Sequence, residues 1–230
     1  MKYQFPIQVA PGQKLILTNP FNEPTPVDIS QALNIETGTH DGVDVVLGSA
    51  METWGREVVW PFPFPGTVYD AEVDSVFDAK IHAHSQINGT DPERGIEYSL
   101  VYLHLSAVTK TKAPTDTEVI TYNKGDVIGY IGNNGAVQPP PTPAQPLAGS
   151  HLHLGLGVKN PGEANFTMVD PLTLLDINAP FVPAVAAMPE AACCGDVAIV
   201  EPAVTAAPLG FIGEAEKVIS ELINPTPPVV

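Results

Sequence analysis

Six histidines occur in 230 residues, and four of them fall into three short motifs. These are His40-Asp41-Gly42-Val43-Asp44, then Tyr102-Leu103-His104-Leu105, then His151-Leu152-His153-Leu154. Imidazole and carboxylate are the usual ligands of a catalytic zinc, which takes three protein groups and keeps its fourth position for water. The motifs offer five such groups, enough for three ligands with two histidines left for proton and charge work. That surplus favours an enzyme over a structural metal site.

Each motif is weak when taken singly. His-x-x-x-Asp gains weight from its setting, because Gly42 permits a close backbone approach and Val43 to Leu47 read as a buried strand. The turn before that strand would bring His40 round to Asp44. In a strand the period of two places His151 and His153 on one face, and Tyr102 and His104 on another shared face. A second His-x-His, His82 and His84, also lies in a strand-like run, and spacing alone leaves it open as a rival zinc pair.

The elements that must position these groups are β-strands. From Ile7 to about Ile177, short apolar or alternating runs are broken by Gly, Pro and Asn. Expected strands are Lys14 to Leu17, Val43 to Leu47, Gly66 to Val73, Ala79 to His84, Ile96 to Leu103, Asp126 to Ile131 and His151 to Val158. Pro139 to Pro146 reads as a stiff extended loop just ahead of His151, a candidate wall of a substrate groove. The organisation expected is a domain over 1–177 and an Ala/Pro-rich tail over 178–230. One short helix is expected in the tail at about 213–223, carrying acids in its first turn and stopped by Asn224-Pro225. Such a tail has little from which to build a core, so contact with another subunit would hold it.

Composition narrows the partners. Net charge is −16, from 26 acidic and 10 basic residues, a field that repels nucleic acid phosphates and anionic membrane surfaces. No apolar run approaches the roughly 18–20 residues that span a bilayer, and no apolar signal-peptide stretch precedes Pro6 and Pro11. Cys193 and Cys194 are adjacent, a geometry that disfavours pairing with each other, so they read as free thiols with no catalytic part.

The order of the motifs is more specific than any one of them. His40 through Asp44 is followed by Trp60-Pro61-Phe62-Pro63-Phe64-Pro65-Gly66-Thr67-Val68 and then Tyr102-Leu103-His104-Leu105-Ser106. Next come Lys124-Gly125-Asp126-Val127-Ile128-Gly129-Tyr130-Ile131-Gly132, His151-Leu152-His153 and Val169-Asp170-Pro171-Leu172. Over about residues 14–176 this series resembles the lysostaphin-like (LytM-type) zinc metallopeptidases, which are peptidoglycan endopeptidases; Leu17-Thr18-Asn19-Pro20-Phe21 is similar to the strand entering their domain.

The resemblance implies a mostly β fold, an antiparallel sheet core with a substrate groove across it. It also implies one Zn2+ per chain held by His40, Asp44 and His153, with His104 and His151 as catalytic groups beside it. The implied substrate is a peptide cross-bridge or stem peptide of peptidoglycan. With no secretory signal visible, mounting in a bacteriophage virion, at the tail, is the expected route to the wall, the C-terminal tail meeting other virion subunits. The chain departs from the family pattern at Gly155, where an acidic residue is common, and in the long proline-rich stretch from Gly135 to Gly149. The rival expectation is a virion or cell-wall protein that keeps the peptidase fold without turnover.

Overall fold

The computed structural model describes residues 2–23, 39–73, 83–113, 115–135 and 137–181. Of the tail expected over 178–230, residues 178–181 belong to the last described strand, which crosses the expected boundary at 177; the rest, with its helix and the two cysteines, and His82 lie outside the described residues. Among the described residues no helix is long and apolar enough to cross a membrane.

Strands form where apolar side chains alternate. In β3 (Gly42–Val46) Val43 and Val45 are buried, leaving Gly42 and Asp44 on the opposite face. In β10 (Leu152–Lys159) Leu152, Leu154 and Leu156 are fully buried, which puts His153, Gly155 and Gly157 on the other face. The longest strand, β7 (Glu97–Val108), sends Tyr98, Leu100 and Tyr102 into the same core.

The remaining strands among the described residues are β1 (Tyr3–Gln8), β2 (Ile16–Asn19), β4 (Glu57–Val59), β5 (Gly66–Val73), β6 (Ala83–Thr90), β8 (Thr121–Tyr122), β9 (Val127–Ile131), β11 (Thr167–Val169) and β12 (Leu175–Phe181). They join in one curled sheet whose main path runs β12-β1-β4-β9-β7-β10-β3-β2. β5 and β6 continue the sheet from the other side of β7. The sheet is mixed: β1 and β12 pair in parallel, where a wholly antiparallel core was expected. A helical turn, α1 (Ala50–Thr53), follows β3 and carries a capping box between Ser49 and Glu52.

Two expectations are corrected first, one for a strand and one for a loop. The run expected to end at His84 instead starts the described part of β6 at Ala83 and continues to Thr90. Its polar residues have local reasons. Gln86 donates to the Ser99 hydroxyl at 3.0 Å. Gly89 lies opposite Gly66 under the Trp60 ring, and a Cβ on Gly89 would sit 2.6 Å from Trp60 Cζ2. Trp60 is fully buried, donates from Nε1 to the Phe64 carbonyl at 2.6 Å, and anchors an aromatic cluster with Phe62, Phe64 and Tyr98.

The proline-rich segment is the second correction. Thr142 and Gln145 exchange backbone hydrogen bonds, so the chain folds into a tight turn and not an extended polyproline rod. Asn133, itself buried, donates to the carbonyls of Pro146 and Ala148 at 2.9 and 2.7 Å and ties the segment down.

Along one edge of β7 the partner strand changes. Leu103 lies opposite His153 of β10, whereas Leu105 lies opposite Ile131 of β9. His104 occupies the change-over point with a left-handed backbone, φ 60°. A conformation rare for a non-glycine residue breaks the alternation there. The shared face expected for Tyr102 and His104 is therefore corrected: the Tyr102 hydroxyl donates to the Val59 carbonyl in the core, while the His104 ring packs 4.5 Å from that of His151.

Candidate metal centre

The sheet register places Asp44 and His153 directly opposite each other in β3 and β10. This pairing requires close backbone approach, which Gly42 allows: a Cβ there would stand 2.6 Å from the Leu154 carbonyl and 2.7 Å from His153 Nε2. His40 arrives just ahead of β3. Its backbone exchanges hydrogen bonds with Asn22 and Glu23, which follow β2 (Asn22 N–H to its carbonyl, and its N–H to the Glu23 carbonyl).

Three atoms then converge. His40 Nε2 lies 3.0 Å from His153 Nδ1, and each lies 3.1 Å from Asp44 Oδ1. His40, Asp44 and His153 thus form a group that could hold a metal ion. The other nitrogen of each ring has its own partner. His40 Nδ1 lies 3.1 Å from the Pro20 carbonyl, and His153 Nε2 lies 3.3 Å from Asp41 Oδ1. Pro20 O and the ionised Asp41 carboxylate only accept, so both outer nitrogens carry hydrogen and the inner ones are left with lone pairs in the neutral rings. Two imidazole lone pairs and one carboxylate oxygen facing each other repel unless a cation or a proton lies between them. Zinc bonds of about 2.0–2.1 Å in a tetrahedron separate ligand atoms by about 3.3–3.4 Å, close to the observed triangle.

The electrostatics agree with a cation-seeking cluster. Burial works against charge on Asp44, but hydrogen bonds from His153 and His40 outweigh it and hold the carboxyl well below the ordinary carboxylate range. Burial also opposes charge on His153, yet hydrogen bonds to Asp41 and Asp44 raise it to about 9. The hydrogen bond from His153 lowers Asp41 in turn. In the metal-free protein a proton on His153 thus takes the place a cation would fill.

The two remaining histidines stand beside the cluster. His151 Nε2 is 3.6 Å from Asp44 Oδ1, and the His104 ring centre is 6.1 Å from that of His153. Backbone carbonyls fix both tautomers: His104 Nδ1 donates to Asn134 O at 2.8 Å and His151 Nδ1 to Gly149 O at 2.7 Å. Each therefore keeps a bare Nε2. Burial first, and then the neighbouring imidazoles, lower His104 to about 3. Burial likewise lowers His151, against the pull of Asp44. Both rings are neutral near pH 7, each with the Nε2 lone pair unprotonated.

The structure brings together all five residues singled out in the three motifs. His84 is not with them: its Nε2 lies 3.0 Å from Asp70 Oδ2 across β5 and β6. Sequence reasoning missed the supporting groups. Asn19 donates to Asp44 Oδ2 at 3.3 Å, Asp41 receives His153, and the carbonyls of Asn134 and Gly149 orient the two flanking rings. Asn19 and Asp41 stand inside quoted motifs, but backbone acceptors leave no trace in residue type. Comparison with known protein families, curated proteins and solved structures finds no match for the chain.

Proposed function

We propose that the protein is a zinc-dependent endopeptidase of the lysostaphin-like type that hydrolyses peptide bonds in bacterial peptidoglycan. The observation that carries this reading is the triangle of His40 Nε2, His153 Nδ1 and Asp44 Oδ1, with edges of 3.0–3.1 Å and two neutral, carbonyl-oriented histidines beside it. Two imidazoles and a carboxylate form a donor set suited to zinc, and the pair of spare histidines suits hydrolysis. When bound, zinc supplies Lewis acidity toward the scissile carbonyl and an activated water.

His40, Asp44 and His153 would hold the ion, with Asn19 anchoring the second carboxylate oxygen. His104 and His151 present Nε2 as proton acceptors. Once protonated, either can donate to the oxyanion or to the departing amine. The wall-peptide substrate rests on the order of the six motifs in the chain, as does a groove across the sheet. So does the placement in a phage tail, where the residues beyond Phe181 would meet other virion subunits.

The test combines zinc content with mass spectrometry of fragments released from isolated peptidoglycan. Wild type should carry one zinc and release peptide-bond cleavage products. His104→Ala should keep the zinc and lose about 10²–10⁴-fold in rate. Equal release by both proteins would overturn the assignment, and stoichiometric zinc without cleavage of any wall type would favour a protein that keeps the site without turnover.

A further inference from the structure

We infer that Asp41 is a positioning residue for the metal cluster, holding His153 through Nε2 so that Nδ1 faces His40 and Asp44. This rests on the reading of the cluster as a metal site. Asp41 Oδ1 lies 3.3 Å from His153 Nε2. The next residue of β10 on the same face is Gly155, so that strand sends no side chain toward the ring. The space above Gly155 is bordered by the Asp41 carbonyl and by Met168: a Cβ at 155 would stand 3.7 Å from the first and 3.2 Å from Met168 Cε. Asp41 therefore reaches across from the β3 side. Gly42 keeps this path open, because any side chain there would strike His153 Nε2 at 2.7 Å. Three consecutive residues thus divide the work: His40 offers a ligand atom, Asp41 orients the ligand opposite, and Gly42 leaves the space between them clear.

A carboxylate on the outer nitrogen fixes the ring's orientation and strengthens the inner nitrogen as a ligand, an effect typically worth about 10- to 100-fold in metal affinity. The Asp41 carboxylate is 67% exposed, so water weakens its hydrogen bond and the lower end of that range is expected. Zinc dissociation constants for the full chain, measured by competition with a chromogenic chelator, provide the test, together with the absorption bands of the cobalt(II)-loaded protein. Asp41→Ala should bind zinc about tenfold more weakly and shift the cobalt bands. Asp41→Glu should recover most of the affinity, while Asp41→Asn, a neutral acceptor, should fall between. Equal affinity in wild type and Asp41→Ala would overturn the positioning role alone. A lower Tm of the metal-free variant with unchanged zinc affinity would also overturn it, by making the residue merely structural. Failure of wild type to bind either metal stoichiometrically would instead remove the metal site and this proposal with it.

Discussion

His104 and Asn134 are tied to each other's surroundings in both directions. The His104 ring donates to the Asn134 carbonyl at 2.8 Å, and the Asn134 side-chain amide donates to the carbonyl of Leu105, the next residue after His104, at 2.7 Å. This double strap fixes the imidazole tautomer at the point where β7 exchanges one partner strand for another. It also holds the left-handed backbone of His104 in place.

Stability should depend on pH through His104. Its folded value of about 3 lies below the ordinary 6.5, so between those limits the unfolded chain binds a proton that the folded chain refuses. Stability of the metal-free protein should accordingly fall with acidification through that window, by about 1.4 kcal/mol per pH unit from this group. Denaturant melts of wild type and His104→Ala across the window measure the effect as a difference in the pH dependence of stability. Parallel pH profiles for the two proteins would count against it.

Asn133→Ala should loosen the proline-rich loop. The change leaves the carbonyls of Pro146 and Ala148 without their donor, at a cost of about 1–2 kcal/mol. None of the three cluster residues lies on that loop, so zinc should remain bound. Turnover should fall, because the carbonyl that orients His151 belongs to Gly149 at the loop's end. Chemical denaturation, zinc content and wall-fragment release measure the three effects separately.

Gly89→Ala should destabilise the aromatic core without touching the cluster. The added methyl would stand 2.6 Å from Trp60 Cζ2 and 3.1 Å from the Pro65 carbonyl, and overpacking of this kind costs about 1–3 kcal/mol. No residue of the cluster lies on β5 or β6. The expected result is a lower denaturant midpoint with zinc affinity unchanged.

How much was legible varies with what holds each element. β3, β5, β9 and β10 were readable to within a residue or so because their apolar residues alternate or run together. β6 was not: Gln86 and Gly89 serve a cross-strand hydrogen bond and a tryptophan ring, and both erase the apolar pattern. β1 and β12 carry Pro6 and Pro180, which argue against strands, yet each lies where the parallel pairing is interrupted by register shifts. The meeting of His40, Asp44 and His153, from two separated motifs, could be anticipated only through the family resemblance that the order of the motifs carries. The turned-over backbone of His104 could not, since Tyr102-Leu103-His104-Leu105 reads as plain alternation. What reverses the side chain is the junction of β9 and β10, a long-range event with no local signature.

That junction also governs how the molecule can change. β9 and β10 follow one another along a single line beside β7, so the chain between them departs and returns at almost the same place. Lengthening such an excursion is cheap, about 0.6 kcal/mol for each doubling of its length. The residues from Gly135 to Ala148 can therefore be rewritten while the strands bearing Asp44 and His153 keep their register. Provided Asn134 and Gly149 stay where they are, the loop can take on new reach without disturbing the five clustered side chains.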